Sequence, residues 1–314
     1  MRTKNKGLGL KPYRVPFRRR ARNYLSNLKS PFVIIMGLMI MTQVLTVIFS
    51  LYWMFSTSLK SQIEFAIDNI GLPPNWRFEN YIKAFSYLFV QIKEDGGYRD
   101  VYLAELLWNS LLFSVGHTVI AVFIHAIAGY VLEKFKKFWI CRAIVTVTIT
   151  LMALPVMTSL AASLELNIRL GVYDNFPMIL YTCIAIFDST TLIFMGAFTS
   201  VHNSYIEAAK IDGAGNYRIL FTIALPLIRT VLVILSITNF IGFWNNYMTP
   251  YLYLPSMPTM AVALLNFSQS NINAITSEPM QMAAAALVCL PCLVIYFSFS
   301  DKMVGNLTMG GVKG

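Results

Sequence analysis

Residues 32–59 contain no Asp, Glu, Lys or Arg. A helix needs only ~20 predominantly apolar residues to cross the ~30 Å hydrocarbon layer of a bilayer, so this run predicts a membrane span. Other stretches repeat the pattern: 106–132 and 143–164 carry no charge, 176–200 carries only Asp188, and 230–300 carries only Glu278. The last is too long for one crossing. It divides at its polar, Pro-bearing middle, 251–281, leaving helices near 230–250 and 281–300. The expected fold is an all-α integral membrane protein with six transmembrane helices.

Composition supports this: 56% of residues are hydrophobic, 13% are charged and the mean hydropathy is +0.59, against about 25% charged for a soluble domain. Yet the net charge is +10, which raises the question of a nucleic-acid partner. The location of the charges answers it. Ten of the 25 Lys and Arg lie in the first 30 residues, a stretch without an acid. A cleaved signal peptide has an apolar core of about 7–15 residues, so 32–59 reads as a retained first span behind a basic tail. With the amino terminus on one side of six spans, that side collects 19 basic residues and the other 6. The positive-inside rule then makes both termini cytoplasmic. The positive excess reports topology, and no nucleic-acid partner is expected.

Other chemistry finds little support. Cys289-Leu-Pro-Cys292 has the spacing of a redox or metal pair, but inside an apolar helix small packing residues fit better, with Pro291 kinking the helix. Cys183 is likewise in a span and Cys141 at a cytoplasmic edge, where disulfides are not expected. His117 and His125 sit eight residues apart on the second span, as packing and interhelical hydrogen-bonding groups or as ligand groups. No catalytic constellation, metal cluster or Gly-rich phosphate loop is present in the sequence, so neither covalent chemistry nor a bound cofactor is expected.

The loop after the fourth span, 201–226, is longer than the 2–8 residues usual between helices of a bundle. Ser204 and Glu207 stand at capping-box spacing, Glu207-Ala-Ala-Lys favours helix, and Gly213 and Gly215 permit a reversal. A second amphipathic piece, 217–223, leads to Pro226, which marks the turn into the fifth span. The pattern predicts a helix, a bend and a second helix at the membrane surface: a docking element, or a connector with ordinary caps.

The spelling adds to this. Glu207-Ala208-Ala209, then Gly213, Ile223 and Leu225-Pro226 resemble the EAA signature of permease subunits of binding-protein-dependent ABC importers. In that family the motif forms the coupling helix that sits in a cleft of the ATPase. Further runs resemble the carbohydrate branch, and within it the smaller permease subunit of maltose-type importers. They are Tyr52-Trp53-Met54 with Ser58-Leu59-Lys60, Leu72-Pro73-Pro74 with Glu79-Asn80-Tyr81, Asn109-Ser110, Trp244-Asn245-Asn246, and the ending from Gly305 to Gly314. The basic tail is long for the family, and Gln91 to Val101 looks like an insertion in the first outer loop.

The resemblance implies a type I ABC importer permease fold in a bacterial plasma (inner) membrane. It divides the chain into a cytoplasmic tail 1–31, a first span 32–59, an outer loop 60–105, a permease core 106–300 and a cytoplasmic tail 301–314. It implies a sugar or oligosaccharide as cargo, with a polyol or glycerol phosphate as the alternative. The implied partners are a second permease subunit in a heterodimer, two copies of a cytoplasmic ATPase subunit and an extracytoplasmic sugar-binding protein, all around the lipid bilayer. ATP hydrolysis belongs to the ATPase; this chain is a transport subunit and no enzyme.

Asn239, Trp244, Asn245, Asn246 and Tyr247 bring amides and aromatics together in the fifth span, a mixture suited to a sugar path and equally to interhelical bonds. The outer loop 251–278 corresponds by resemblance to one that reaches into the binding protein; an ordinary connector is the other reading. Asp188 is the one acid well inside a span, where an ionised carboxylate costs a few kcal/mol; it reads as helix glue or as part of the path. A secondary transporter explains six spans too, but would carry ionisable residues in several of them. A membrane enzyme would need a polar constellation, and none is found.

Overall fold

The computed structural model describes residues 30–94, 96–153, 160–180, 187–269 and 277–307. The predicted basic tail, Cys183, the middle of the 251–278 loop and the last seven residues lie outside them. The chain divides into two compact units, Met1–Phe55 and Ser56–Gly314.

The described residues of the first unit form one helix, α1 (Pro31–Ser58), whose last three residues belong to the second unit. Its hydroxyls turn back on its own ladder: Thr42 donates to the Leu38 carbonyl, Thr46 to Thr42 and Ser50 to Thr46, at 2.8–2.9 Å. Bonded internally, these three hydroxyls present no unmet donor to an apolar medium.

In the second unit the chain leaves α1 through a tight, hydrogen-bonded segment. Asn80, on α3 (Glu79–Tyr87), donates to the Ser58 and Lys60 carbonyls at 2.8 Å. The Tyr81 and Ser58 hydroxyls lie 2.7 Å apart. The two sequence runs 58–60 and 79–81 thus pin each other, and Lys60 is buried with its ammonium on the Asp68 carbonyl. A reciprocal capping box starts α2 (Gln62–Ile67): Ser61 accepts from the Glu64 N–H and Glu64 from the Ser61 N–H. The Ser61 backbone N–H is the main reason the Glu64 carboxyl is held down at about 2.

Next comes an antiparallel hairpin, β1 (Phe89–Glu94) and β2 (Gly97–Tyr102), closed by residues 95 and 96 with Gly96 at φ +108°. It corrects the all-α expectation. Asp-Gly between residues of alternating polarity is a strong hairpin signal, and Val90, Ile92 and Val101 bury one face against Met260, Phe267 and Ala284. Arg99 ties the two strands to the residues just beyond them, reaching Glu94 and Glu105 at 2.7 Å.

The long helix α4 (Leu103–Lys134) is the axis of the second unit. It contacts α8 (Ser189–Thr199) and α12 (Arg229–Trp244) most extensively; α14 (Met260–Gln269) and α15 (Glu278–Leu307) close the other end. Along the chain α5 (Trp139–Ala153), α6 (Leu160–Arg169) and α7 (Phe176–Ile179) lie between α4 and α8, and α13 (Met248–Tyr253) lies between α12 and α14. Helix α15 continues through Pro291. Asn109 donates to the Pro258 carbonyl, and the Ser110 hydroxyl accepts from the Met260 N–H, so the Asn-Ser pair fastens the segment leading into α14 to α4.

Among the described residues three helices are long and apolar enough to cross a membrane: Pro31–Ser58, Leu103–Lys134 and Glu278–Phe299. They coincide with the first, second and sixth expected spans. A fourth is a bent pair, Asn216–Leu227 and Arg229–Trp244, at 79°. The expected third and fourth spans each cross a stretch outside the described residues, 154–159 and 181–186.

Candidate functional site: the 201–226 loop and the cavity beside α12

Helix α9 (Asn203–Ile211) begins with His202 at its N-cap and no side-chain cap bond. The expected Ser204–Glu207 capping box is therefore absent. Starting two residues earlier puts Ser204 inside the first turn and leaves Glu207 exposed, with no hydrogen bond or ion pair among the described residues. The box spacing is realised instead at Ser61 and Glu64.

The end of α9 is a complete Schellman motif. Gly213 donates to the Lys210 carbonyl at 3.1 Å and Ala214 to the Ala209 carbonyl at 2.9 Å, with Gly213 at φ +78°. That conformation favours glycine. The chain then reverses into α10 (Asn216–Ile219), a π-helical turn over Leu220–Ala224, and the short α11 (Leu225–Leu227). The bend into α12 falls at Ile228, two residues beyond the expected Pro226.

Burial sorts the loop into an anchoring face and a presented face. Ile206, Ala209, Ile219, Leu220 and Ala224 are buried with Val122, Tyr130, Phe194 and Phe198, and Ile223 and Leu225 pack partly against them. Glu207, Ala208, Gly213 and Pro226 are exposed, as are Ile211 at 87% and Tyr217 at 83%. Within the Glu207-Ala208-Ala209 triplet only Ala209 faces inward, at 7% exposure. The presented side of the loop thus carries an exposed carboxylate, a small residue and two bare apolar side chains. Sequence reasoning missed Lys134 at this junction. Its ammonium donates to the carbonyls of Phe198 and Val201 and to Asn203 Oδ1, partners more than sixty residues away that no local pattern discloses.

The polar residues in and just after α12 separate. Asn239 and Asn246 line a cavity of about 340 Å³ with Ser189, Thr190, Thr238 and Phe243. Asn245 and Tyr247 line another, about 360 Å³, with Ser268 and Gln281. Trp244 is 3% exposed and donates from Nε1 to the Val288 carbonyl, pinning α12 to α15. Asn239 donates to the Leu235 carbonyl at 2.8 Å, and Asn246 is bonded twice to Thr249.

Asp188 stands at the N-cap of α8, not inside a helix, and accepts from the Thr191 N–H at 3.0 Å. Thr191 Oγ1 meets His125 Nδ1 at 2.7 Å, and His125 lies 3.5 Å from Asp188. His117 packs against Phe113, Phe176 and Phe243, with Nδ1 at the Phe113 carbonyl. Asn is as good an N-cap as Asp, whereas Ala costs ~1 kcal/mol. Asp188→Ala should lose about that much stability in thermal unfolding of the solubilised protein, and Asp188→Asn less than half of it; equal losses would remove the capping role.

The family described as "binding-protein-dependent transport system inner membrane component" matches residues 125–304, a stretch that contains the whole loop and the α12 cavity. This chain belongs to that family. The permease is 26% identical to the diacetylchitobiose uptake system permease of Streptomyces coelicolor, over 84% of this chain and 83% of that one. It is 30% identical to the maltodextrin transport system permease of Bacillus subtilis, over 66% of this chain and 74% of that one. A crystal structure of a bacterial ABC transporter involved in import of the acidic polysaccharide alginate contains a chain of the same fold. The TM-score is 0.66 at 19% identity, covering 93% of the permease and 99% of that chain.

Proposed function

We propose that the permease forms half of the translocation path of an ATP-driven importer of a sugar or oligosaccharide. In this reading it pairs with a second permease, docks the ATPase through the 201–226 loop in an assembly with two ATPase subunits, and receives its cargo from an extracytoplasmic binding protein. The six-span arrangement with cytoplasmic termini is part of the proposal and rests on the 19-to-6 division of basic residues.

The observation that carries the reading is the division of the loop: Ala209, Ile223 and Leu225 anchored in or against the apolar cluster, Glu207, Ala208 and Gly213 presented. A chain with no ATP site of its own receives free energy only mechanically, through an element that both ends bias. The loop supplies it. Its presented face meets a partner while its anchored face is continuous with α4, α8 and, through one bend, α12.

For the cargo, the Asn239–Asn246 cavity has the volume of a small-molecule site. It is lined by hydroxyls, neutral amides and an aromatic face, groups that pair with sugar hydroxyls without a charge to desolvate. The curated relatives act on diacetylchitobiose and maltodextrin, and the same neutral chemistry suits this cavity. The Trp244 position serves packing, so the proposed path centres on Asn239 and Asn246, with Asn245 and Tyr247 at the second cavity.

The test is uptake of maltotriose, raffinose and diacetylchitobiose into proteoliposomes holding the permease with its partners. Uptake of at least one, dependent on both ATP and the binding protein, is expected. Asn239→Ala should reduce it about tenfold, the equivalent of ~1.4 kcal/mol, with the ATPase still bound. Uptake without ATP or without the binding protein would overturn the importer reading.

A further inference from the structure

The three hydrogen bonds of Lys134 meet at the root of the 201–226 loop. Lys134 ends α4, and its Nζ lies 3.3 Å from the Phe198 carbonyl, 2.7 Å from that of Val201 and 3.2 Å from Asn203 Oδ1. Phe198 is in the last turn of α8, where carbonyls lack intrahelical partners and a cation is favoured. Asn203 is the first residue of α9. The acid beside it in sequence, Glu133, is taken by Lys136 at 2.7 Å, so the Lys134 ammonium spends its donors on these three acceptors, one in α8, one in α9 and one in the connection between them.

Beneath this clamp α4 and α8 are already close. A Cβ at Gly129 would lie 2.6 Å from Phe194 Cβ, and the Tyr130 and Phe198 rings meet edge to face at 5.3 Å. Helix α9 rests on this cluster through Ile206 and Ala209 and is joined to α8 by the short connection after Thr199, which Lys134 spans. We infer that Lys134 is a positioning residue that makes α9 move as one body with α4 and α8, so that displacement of the docking face reaches the membrane helices without slack. The inference rests on the loop being the ATPase-docking element. It assigns Lys134 no contact with cargo, nucleotide or ATPase.

The experiment uses the assembled complex on a background with Cys141, Cys183, Cys289 and Cys292 changed to Ser. Spin labels are placed at Phe138→Cys and Tyr205→Cys, both exposed positions, and the distance distribution between them is recorded by pulsed electron resonance. With Lys134→Met the distribution should broaden at least twofold, and uptake of maltotriose, raffinose or diacetylchitobiose per ATP hydrolysed should fall about tenfold while the ATPase still copurifies. Lys134→Arg, which keeps charge and donors, should recover at least half of both losses. Asn203→Ala removes only the link to α9 and should give the same direction of change without disturbing α4 and α8, which covers a Lys134→Met protein that does not fold. A width and an uptake-to-ATP ratio within a factor of two of the parent in both Lys134→Met and Asn203→Ala overturn the inference. Glu207→Lys in the same preparations separates the two proposals. If that variant keeps the ATPase bound, the docking reading fails by itself, whereas silence of the Lys134 and Asn203 variants alone removes only the clamp.

Discussion

Glu207→Lys and Gly213→Pro are expected to leave the permease inserted while reducing sugar uptake at least tenfold and stripping the ATPase from the purified complex. The two changes strike different parts of one element. Glu207 is exposed and unpaired among the described residues, so reversing its charge disturbs no internal bond and acts only on whatever meets that face. Rim charges in interfaces govern association and register, and a like-charge contact costs enough to empty a micromolar interface. Gly213 acts through the backbone. Its φ of +78° cannot be reached by proline, fixed near −65°, and proline would remove the N–H that donates to the Lys210 carbonyl at 3.1 Å. The Schellman reversal then fails and α9 is presented at a different angle. Its anchoring residue Ala209 remains buried in the cluster, so the effect is on aim and less on folding. Normal uptake in both variants would remove the coupling assignment.

Much of this is legible in the sequence because bilayers impose simple rules: an uncharged run of twenty residues has few alternatives, and α1, α4 and α15 derive from it directly. The loop is legible as helix, bend and helix because Gly213 and the Ala-rich segment act locally. Its starting point is not. Ser204 and Glu207 have the same spacing as Ser61 and Glu64, yet only the latter pair forms a box. The helix start at Asn203 is held by Lys134, whose position in the chain lies 69 residues earlier, and no spacing rule carries such a contact. The hairpin reads in the sequence as an insertion, although its two-residue Asp-Gly connection is a usable signal. The amide cluster of the fifth span is divided where α12 ends. Asn239 lies within the helix and Asn246 two residues beyond its end, yet both line one cavity, while Trp244, the last helical residue, pins α12 to α15, so no helical spacing rule separates the cavity-lining residues from the packing one.

The second large effect is expected at Gly129, where the contact between α4 and α8 is tightest. A methyl group there would lie 2.6 Å from Phe194 Cβ and 2.7 Å from the Met195 backbone nitrogen. Neither is the end of a flexible side chain, so the helices themselves must separate. Overpacking of this kind costs about 1–3 kcal/mol, and in membranes small residues are what allow two backbones to approach so closely. Gly129→Ala should lower the thermal stability of the solubilised protein by about 2 kcal/mol, and Gly129→Leu should prevent stable accumulation. Gly196, on α8 in the same helix pair, has nothing within 4 Å of the added carbon, and Gly196→Ala should stay within about 0.5 kcal/mol of the parent. The contrast isolates packing from helix propensity, because Ala favours helix at both sites by about the same amount. Equal stability of the two variants would mean that α4 and α8 are not in close contact. The coupling route from the loop into the membrane would then have to run through the bend at Ile228 and α12 alone.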